Sequence, residues 1–178
     1  MKSLKKARGW LLSDMKKEIK LKPIGIIHTP YKKPKGIPIQ GTFNKRVKGR
    51  IELFRRYHEG LRDIEGFSHL ILIYHFNRSK EERLVGKPFL ENNEHGIFAI
   101  RSPHRPNHIG FSIVKLEKVK ENTVVFSEVD ILDGTPLLDI KPYVSHFDSR
   151  KHVRNGWIDM HFKKGKHNRK RKLQAGNL

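Results

Sequence analysis

The run Leu70-Ile71-Leu72-Ile73-Tyr74-His75-Phe76 limits the possible folds of this chain more than any other stretch. It is apolar but for one histidine, follows the turn-like Glu65-Gly66-Phe67-Ser68-His69, and stops at Asn77-Arg78. A run of this kind reads as a central strand buried on both faces. The other apolar segments are short. Ile24 to Thr29 is rich in β-branched residues and is the expected first core strand. Val47 to Phe54 alternates, with Val47, Gly49, Ile51 and Leu53 on one side and Lys48, Arg50 and Glu52 on the other, as a half-buried strand does. Gly96 to Ile100 is expected as a further strand. Phe111 to Val119 is expected to form a hairpin, through Glu121-Asn122, with Thr123 to Leu132, whose Val125, Ser127, Val129 and Ile131 share a face. Asp133-Gly134-Thr135-Pro136 breaks that strand, and Leu137 to Tyr143 resumes it, with Pro142 at an edge or chain exit. Helical signals are weaker: one or two turns over Arg56 to Ile64, a short strand or helix within His146 to Phe162, and a loose stripe of Leu4, Ala7, Leu11, Met15 and Ile19. Strands joined by hairpins and turns predict a mainly β chain, a small antiparallel β-barrel with short helices.

The most polar connection in this plan is Arg101-Ser102-Pro103-His104-Arg105-Pro106-Asn107-His108-Ile109-Gly110. Its two prolines fix φ and remove backbone donors, so the loop holds its cationic and amide groups in set directions. Read alone, it is either a stiff solvated turn or a binding loop carried by a rigid scaffold. A second loop, Tyr31 to Asn44, centres on Gly36-Ile37-Pro38-Ile39-Gln40-Gly41, and a third, Ser79 to His95, is polar. No strand-GxGxxG-helix unit, Walker loop, HExxH spacing or GxSxG elbow occurs, so a Rossmann nucleotide fold and a recognisable metal site are unsupported. The absence of cysteine excludes disulfides, thiolate metal sites and a cysteine nucleophile, and fits a cytoplasmic protein. No apolar run approaches a membrane span. The formal charge of +20 points to a polyanionic partner, with nucleic acid preferred. Basic residues concentrate at the ends, which divides the chain into a basic extension at 1–22, one barrel domain at 23–162 and a basic tail at 163–178, expected to be disordered.

Three stretches occurring together carry more information than any one of them: Phe67-Ser68-His69-Leu70, the Arg101–Gly110 loop, and Asp133-Gly134-Thr135-Pro136-Leu137-Leu138-Asp139-Ile140-Lys141-Pro142-Tyr143. With Ile24-Gly25-x-Ile27-x-Thr29-Pro30-Tyr31 at the start, they resemble the TrmO (TsaA-like) family over residues 23 to 145. The resemblance implies a non-Rossmann, barrel-type methyltransferase that binds S-adenosylmethionine and works as a homodimer. Its implied substrate is threonylcarbamoyladenosine beside the anticodon of tRNA, methylated at N6. It also implies that Pro38, Gln40, Phe76, Asn77, Arg101, Phe111, Ile131, Leu132, Asp133 and Gly134 line the cofactor pocket. Arg105, Asn107, Lys141 and Tyr143 match motif positions expected toward the substrate. Three positions depart from the family pattern: Ile39 replaces an arginine, Asn77 a histidine and His108 a proline.

Methyl transfer from a sulfonium is an in-line displacement in which the protein mainly binds and aligns. Arg101 suits the cofactor's carboxylate, and Asp133 its ribose hydroxyls or adenine amino group. A carbamoylated nitrogen is a poor nucleophile until its proton leaves, so a base could help; His69, His108, Asp139 and Tyr143 are the candidates. Tyr143 and Phe147 are available to stack on the unpaired bases of an anticodon loop. Two other readings stay open: the same cofactor with a different substrate, and a non-catalytic basic barrel that binds RNA.

Overall fold

The computed structural model describes residues 18–162. The basic tail expected at 163–178, and all but the end of the helical pattern expected near the N-terminus, lie outside them. Six strands make the body: β1 (Gly25–His28), β2 (Lys48–Leu53), β3 (His69–His75), β6 (Ile109–Lys120), β7 (Thr123–Ser127) and β8 (Thr135–Pro142). They close into an antiparallel barrel in the order β1-β2-β7-β6-β3-β8. Two short strands, β4 (Val85–Gly86) and β5 (His95–Gly96), pair in a separate ribbon. Two four-residue helices, α1 (Ser145–Asp148) and α2 (Asp159–Phe162), follow the barrel.

Closure explains which residues are inside. A barrel wall has one inner face, so period-two alternation sends every second residue to the core. In β2 these are Gly49, Ile51 and Leu53, as the alternation predicts. In β3 they are Leu70, Leu72 and Tyr74, while His69, Ile71, Ile73 and His75 are half-buried on the outer side. The expectation of a strand buried on both faces is therefore corrected: Ile71 stands opposite Ile113 of β6 on the outer wall. Phe126, Ile27, Ile51, Leu70, Leu72 and Val114 are fully buried and form one cluster, each contributing about 1.5–3 kcal/mol of hydrophobic stabilisation.

Two other expectations are corrected. The strand expected over Gly96 to Ile100 is not formed, because β5 ends at Gly96 and Ile97–Ala99 is a 3-10 turn. The strand from Thr123 ends at Ser127, and its inward residues are Val124 and Phe126, the opposite parity from that expected. Glu128 has φ +64° and breaks the alternation, so Val129 and Ile131 return to the interior on the new parity. The Arg56–Ile64 expectation holds as 3-10 turns over Arg55–Leu61 and Ile64–Gly66, with Leu61 and Ile64 buried. Pro142 is the last residue of β8, where the chain leaves the barrel.

Candidate functional site

Three connections meet at one end of the barrel, where β3 ends beside the start of β6. The 31–44 loop brings Pro38, Ile39 and Gln40. The segment from Gly96 to Ile109 brings Phe98, Ile100, Arg101 and Arg105. The link from β7 to β8 brings Asp130, Ile131 and Leu132. Together with Tyr74, Phe76 and Asn77 at the end of β3, and Phe111 of β6, these residues enclose a cavity of about 720 Å³. That volume suits a nucleoside-sized ligand.

Each loop is positioned by identifiable contacts. Gly110, the second residue of β6, lies against the Tyr74 ring, and a Cβ there would lie 2.1 Å from that ring. Only glycine lets the loop return this close to β3. Asn107 and His108 take φ +62° and +47°, which turns the loop back toward the barrel. The His108 carbonyl accepts the Phe76 N–H at 2.8 Å and its N–H donates to the Arg105 carbonyl at 3.0 Å. Its ring contacts the Pro103 carbonyl through Nδ1 at 2.9 Å. A proline here would need negative φ and would lose that N–H, so the departure from the family motif matches the backbone that His108 adopts. Arg101 donates to Gln40 Oε1 at 2.7 Å, and its guanidinium lies over the Phe111 ring at 5.9 Å. Three of the residues expected at the pocket thus hold one another in place.

Of the ten expected cofactor residues, Pro38, Gln40, Phe76, Asn77, Arg101, Phe111, Ile131 and Leu132 line the cavity. Ile39 lines it as well, and its carbonyl takes the Gln40 amide N–H at 2.7 Å. Asp133 and Gly134 are not among the lining residues, although Leu132 before them and Thr135 after them are. The Asp133 carboxylate accepts the Thr29 N–H at 3.0 Å and the Lys32 ammonium at 2.5 Å. The lysine bond holds the carboxyl below its usual range. Arg78 clamps the same corner, donating to the Lys32 and Asp133 carbonyls at 2.7 Å each. Gly134 supplies the φ of +76° that the turn needs.

The residues expected toward the substrate divide into two groups. Arg105 lines the cavity and donates to the Ile100 carbonyl at 3.3 Å, and exposed Asn107 lies on the same loop. Lys141 pairs with Asp139 at 2.8 Å on the outer side of β8. Tyr143 meets His69 edge-on at 6.3 Å. His69 begins β3, whereas the cavity lies beyond its end at His75, roughly 20 Å away at about 3.3 Å per residue. The structure therefore does not bring His69 or Tyr143 to the cavity, and Asp139 is turned to the outer wall. Phe147 is exposed on α1.

The sequence reading missed several cavity residues. Asp130 lies within the strand whose parity was misassigned. It is largely buried, which pushes its pKa up, while bonds from the Ser112 hydroxyl and the Gly41 N–H pull it down. Phe89 and Phe98 were hidden in segments read as a polar loop and a strand; both are largely exposed at the cavity edge. Among the described residues no cluster of three or more His, Cys, Asp or Glu is arranged for a metal ion, and no helix is long and apolar enough to cross a membrane.

The segment from Gly156 to Phe162 packs on loops beside this site. Trp157 stacks on His95 at 4.7 Å and donates to the Ala99 carbonyl at 2.9 Å. Glu91 bridges His95 at 2.6 Å and His161 at 2.7 Å. Phe162 stacks on Phe43 at 6.5 Å. Residues 157–162 therefore join the loop of Gln40 to the loop between β4 and β5.

A family model described as the tRNA-methyltransferase O N-terminal domain matches residues 26–149. The chain is 54% identical over 138 residues to a Pyrococcus abyssi protein named "Probable S-adenosyl-L-methionine-binding protein", covering 78% of this chain and 75% of that one. It is 36% identical over 138 residues to a protein of Mus musculus named tRNA (adenine(37)-N6)-methyltransferase, covering 74% of this chain but only 32% of the mouse chain. Among solved structures, TrmO from Pseudomonas aeruginosa aligns with a TM-score of 0.68 at 34% identity, over 79% of this chain and 63% of that one. The chain thus spans about a third of the mouse relative and under two thirds of the bacterial structure.

Proposed function

This chain belongs to the tRNA-methyltransferase O family, and from that membership we propose that it transfers a methyl group from S-adenosylmethionine to N6 of an adenosine in tRNA. The threonylcarbamoyladenosine beside the anticodon is the acceptor we favour. The observation that carries the reading is the cavity itself: a mostly apolar space of nucleoside size, with an arginine held at its edge by Gln40 and Phe111.

The cavity fits the cofactor by its chemistry. Ile100, Ile131, Leu132 and Phe76 offer apolar surface to an adenine ring, and Arg101 offers a guanidinium to an amino-acid carboxylate. When bound, S-adenosylmethionine supplies the electrophilic methyl group, so the protein's work is placement and exclusion of water. Asp133 and Gly134 fix the corner from which Ile131 and Leu132 face the ligand. Arg105 and Asn107 meet the RNA. Phe89 and Phe98 present exposed rings on which an unstacked base can lie.

His69, Asp139, Lys141 and Tyr143 are given a place by a homodimer. The outer wall of β3 and β6 carries Ile71, Ile73 and Ile113, with Ile109 and Phe111 partly exposed beside them. Pairing two chains through this wall would cover the apolar surface and set the outward residues of one chain near the other chain's cavity. His108 lies on the cavity's own loop and remains a further candidate base. The N-terminal extension at 1–22 and the tail at 163–178 flank the barrel domain and add cationic residues toward RNA, in a cytoplasmic setting.

Calorimetry and nucleoside analysis test this together. Purified protein should bind S-adenosylmethionine saturably, and Arg101→Ala should lower the affinity by about tenfold or more, the scale of a charged hydrogen-bonded pair. Deleting the gene should remove methylated threonylcarbamoyladenosine from cellular tRNA. An unchanged nucleoside peak beside intact cofactor binding would support the second reading, another acceptor with the same cofactor, which the departures at Ile39 and Asn77 inside the cavity favour. No cofactor binding at all would leave the basic RNA-binding barrel.

A further inference from the structure

The charges around the cavity are unevenly placed. Arg78, Arg101, Arg105 and His104 surround it, and among its lining residues Asp130 is the only acid. That carboxylate sits against the barrel interior. Ser112 has a single hydroxyl hydrogen and donates it to Asp130 Oδ1 at 2.6 Å. The Tyr74 hydroxyl, 3.0 Å from Ser112 Oγ, must then be the donor in that pair. Asp130 Oδ2 accepts the Gly41 N–H at 3.1 Å. Tyr74 and Ser112 are both buried. Every one of these hydrogen bonds is directed toward the acid, and none requires it to carry a proton. Loss of solvation raises the Tyr74 pKa, and the nearby Asp130 charge raises it further, so Tyr74 stays a donor.

A largely buried carboxylate whose hydrogen bonds come only from neutral donors remains costly, because such bonds do not fully restore its hydration. Among the described residues, no lysine, arginine or histidine forms an ion pair with it. Arg101 acts on it through space while its own guanidinium is engaged by Gln40. The network thus leaves an acid at the inner end of a cavity whose other formal charges are cationic, and because burial raises its pKa, a cationic ligand is the partner that favours its ionised form. The complementary ligand is anionic at its exposed end and cationic further in.

We propose that Asp130 recognises the positive charge of the sulfonium, and so distinguishes the methyl donor from its spent, neutral form. This rests on the methyl-transfer reading above. With the ligand carboxylate at Arg101, the ammonium one carbon away stays at the exposed end, whereas the sulfonium lies further along the chain toward the interior. A sulfonium cannot donate a hydrogen bond, so a charge in a low-dielectric setting is the interaction that can select it. When the methyl group passes to nitrogen, the bonding pair stays on sulfur and the acceptor's proton goes to solvent. The cation facing Asp130 is then gone, and the carboxylate favours exchange of product for fresh donor.

The test is calorimetry of the full chain with S-adenosylmethionine, S-adenosylhomocysteine and sinefungin, which carries an amine-bearing carbon in place of the sulfonium. Wild-type protein is expected to bind the two cationic ligands about tenfold or more tighter than the neutral thioether, the scale of a charge-assisted contact. Asp130→Asn keeps the shape and is expected to bring all three within about threefold, chiefly by weakening the cationic ligands. Equal weakening of all three would place Asp130 on a group they share, and an unchanged preference would place it on neither; both overturn the proposal. Should the variant fail to fold, the wild-type titration decides: sinefungin binding no tighter than the thioether overturns it. Wild-type protein that binds none of the three defeats the methyl-transfer reading itself, a distinct result.

Discussion

His108 shows how one residue can record a backbone choice. Its φ of +47° and its N–H bond to Arg105 are both closed to proline. His108→Pro, the change toward the family motif, is therefore expected to destabilise the chain by more than about 2 kcal/mol through strain and a missing hydrogen bond, read as a lower midpoint in urea. Gly110→Ala is expected to be worse at the site, because the new Cβ would meet the Tyr74 ring. That ring would have to move, and with it Ser112 and Asp130, so cofactor affinity should fall even where the variant melts normally. At this scale the sequence is informative where a motif marks the residue, as it does for Arg101 and Gln40. Asp130 is not legible, because nothing local shows that Glu128 turns to positive φ and changes which residues face inward.

Among the elements, the strands are readable because alternation is a local signal, and β2 follows it residue by residue. The ribbon of β4 and β5 and the turn at Ile97–Ala99 are not, since two-residue strands carry no period. The joint made by residues 157–162 depends on partners distant in the chain, such as Glu91 with His161, and no spacing rule finds them. This joint is acid-sensitive in a definite direction. Bonds from His95 and His161 lower the Glu91 pKa below its ordinary 4.5. A depressed carboxylate stabilises the fold above its unfolded value and loses that contribution as pH falls through the folded one. Hydrogen exchange at residues 156–162 should accordingly rise below about pH 4.5. Glu91→Gln should raise it at neutral pH and blunt the acid response. Protection that is identical in both proteins at all pH values would mean that Trp157 and Phe162 hold the segment without the carboxylate.

For the whole molecule, the charge of +20 separates ligand binding from RNA binding. Cofactor affinity, set by a handful of groups in an enclosed space, should change little with salt, whereas RNA affinity should fall steeply. Removing 163–178, with its run from Lys163 to Lys172, is expected to flatten the logarithmic salt dependence by about 0.7 for each phosphate that is no longer neutralised, measured by fluorescence anisotropy on an anticodon stem-loop. An unchanged slope would place the RNA-binding surface on the barrel and the 1–22 extension. Barrel closure is legible as a class from the number of short strands, but the strand order depends on pairing over long separations, such as β1 with β8, which composition cannot reveal. One consequence of the C-terminal joint concerns time rather than equilibrium. Phe162 meets Phe43 on the loop of Gln40, and Trp157 and His161 meet His95 and Glu91, so residues 157–162 tie together two loops beside the opening. A tie between two loops slows the motions that separate them. Residues 157–162, beyond the span matched by the family model, would therefore act on how fast those loops part, leaving how tightly a ligand is held to the groups that line the cavity.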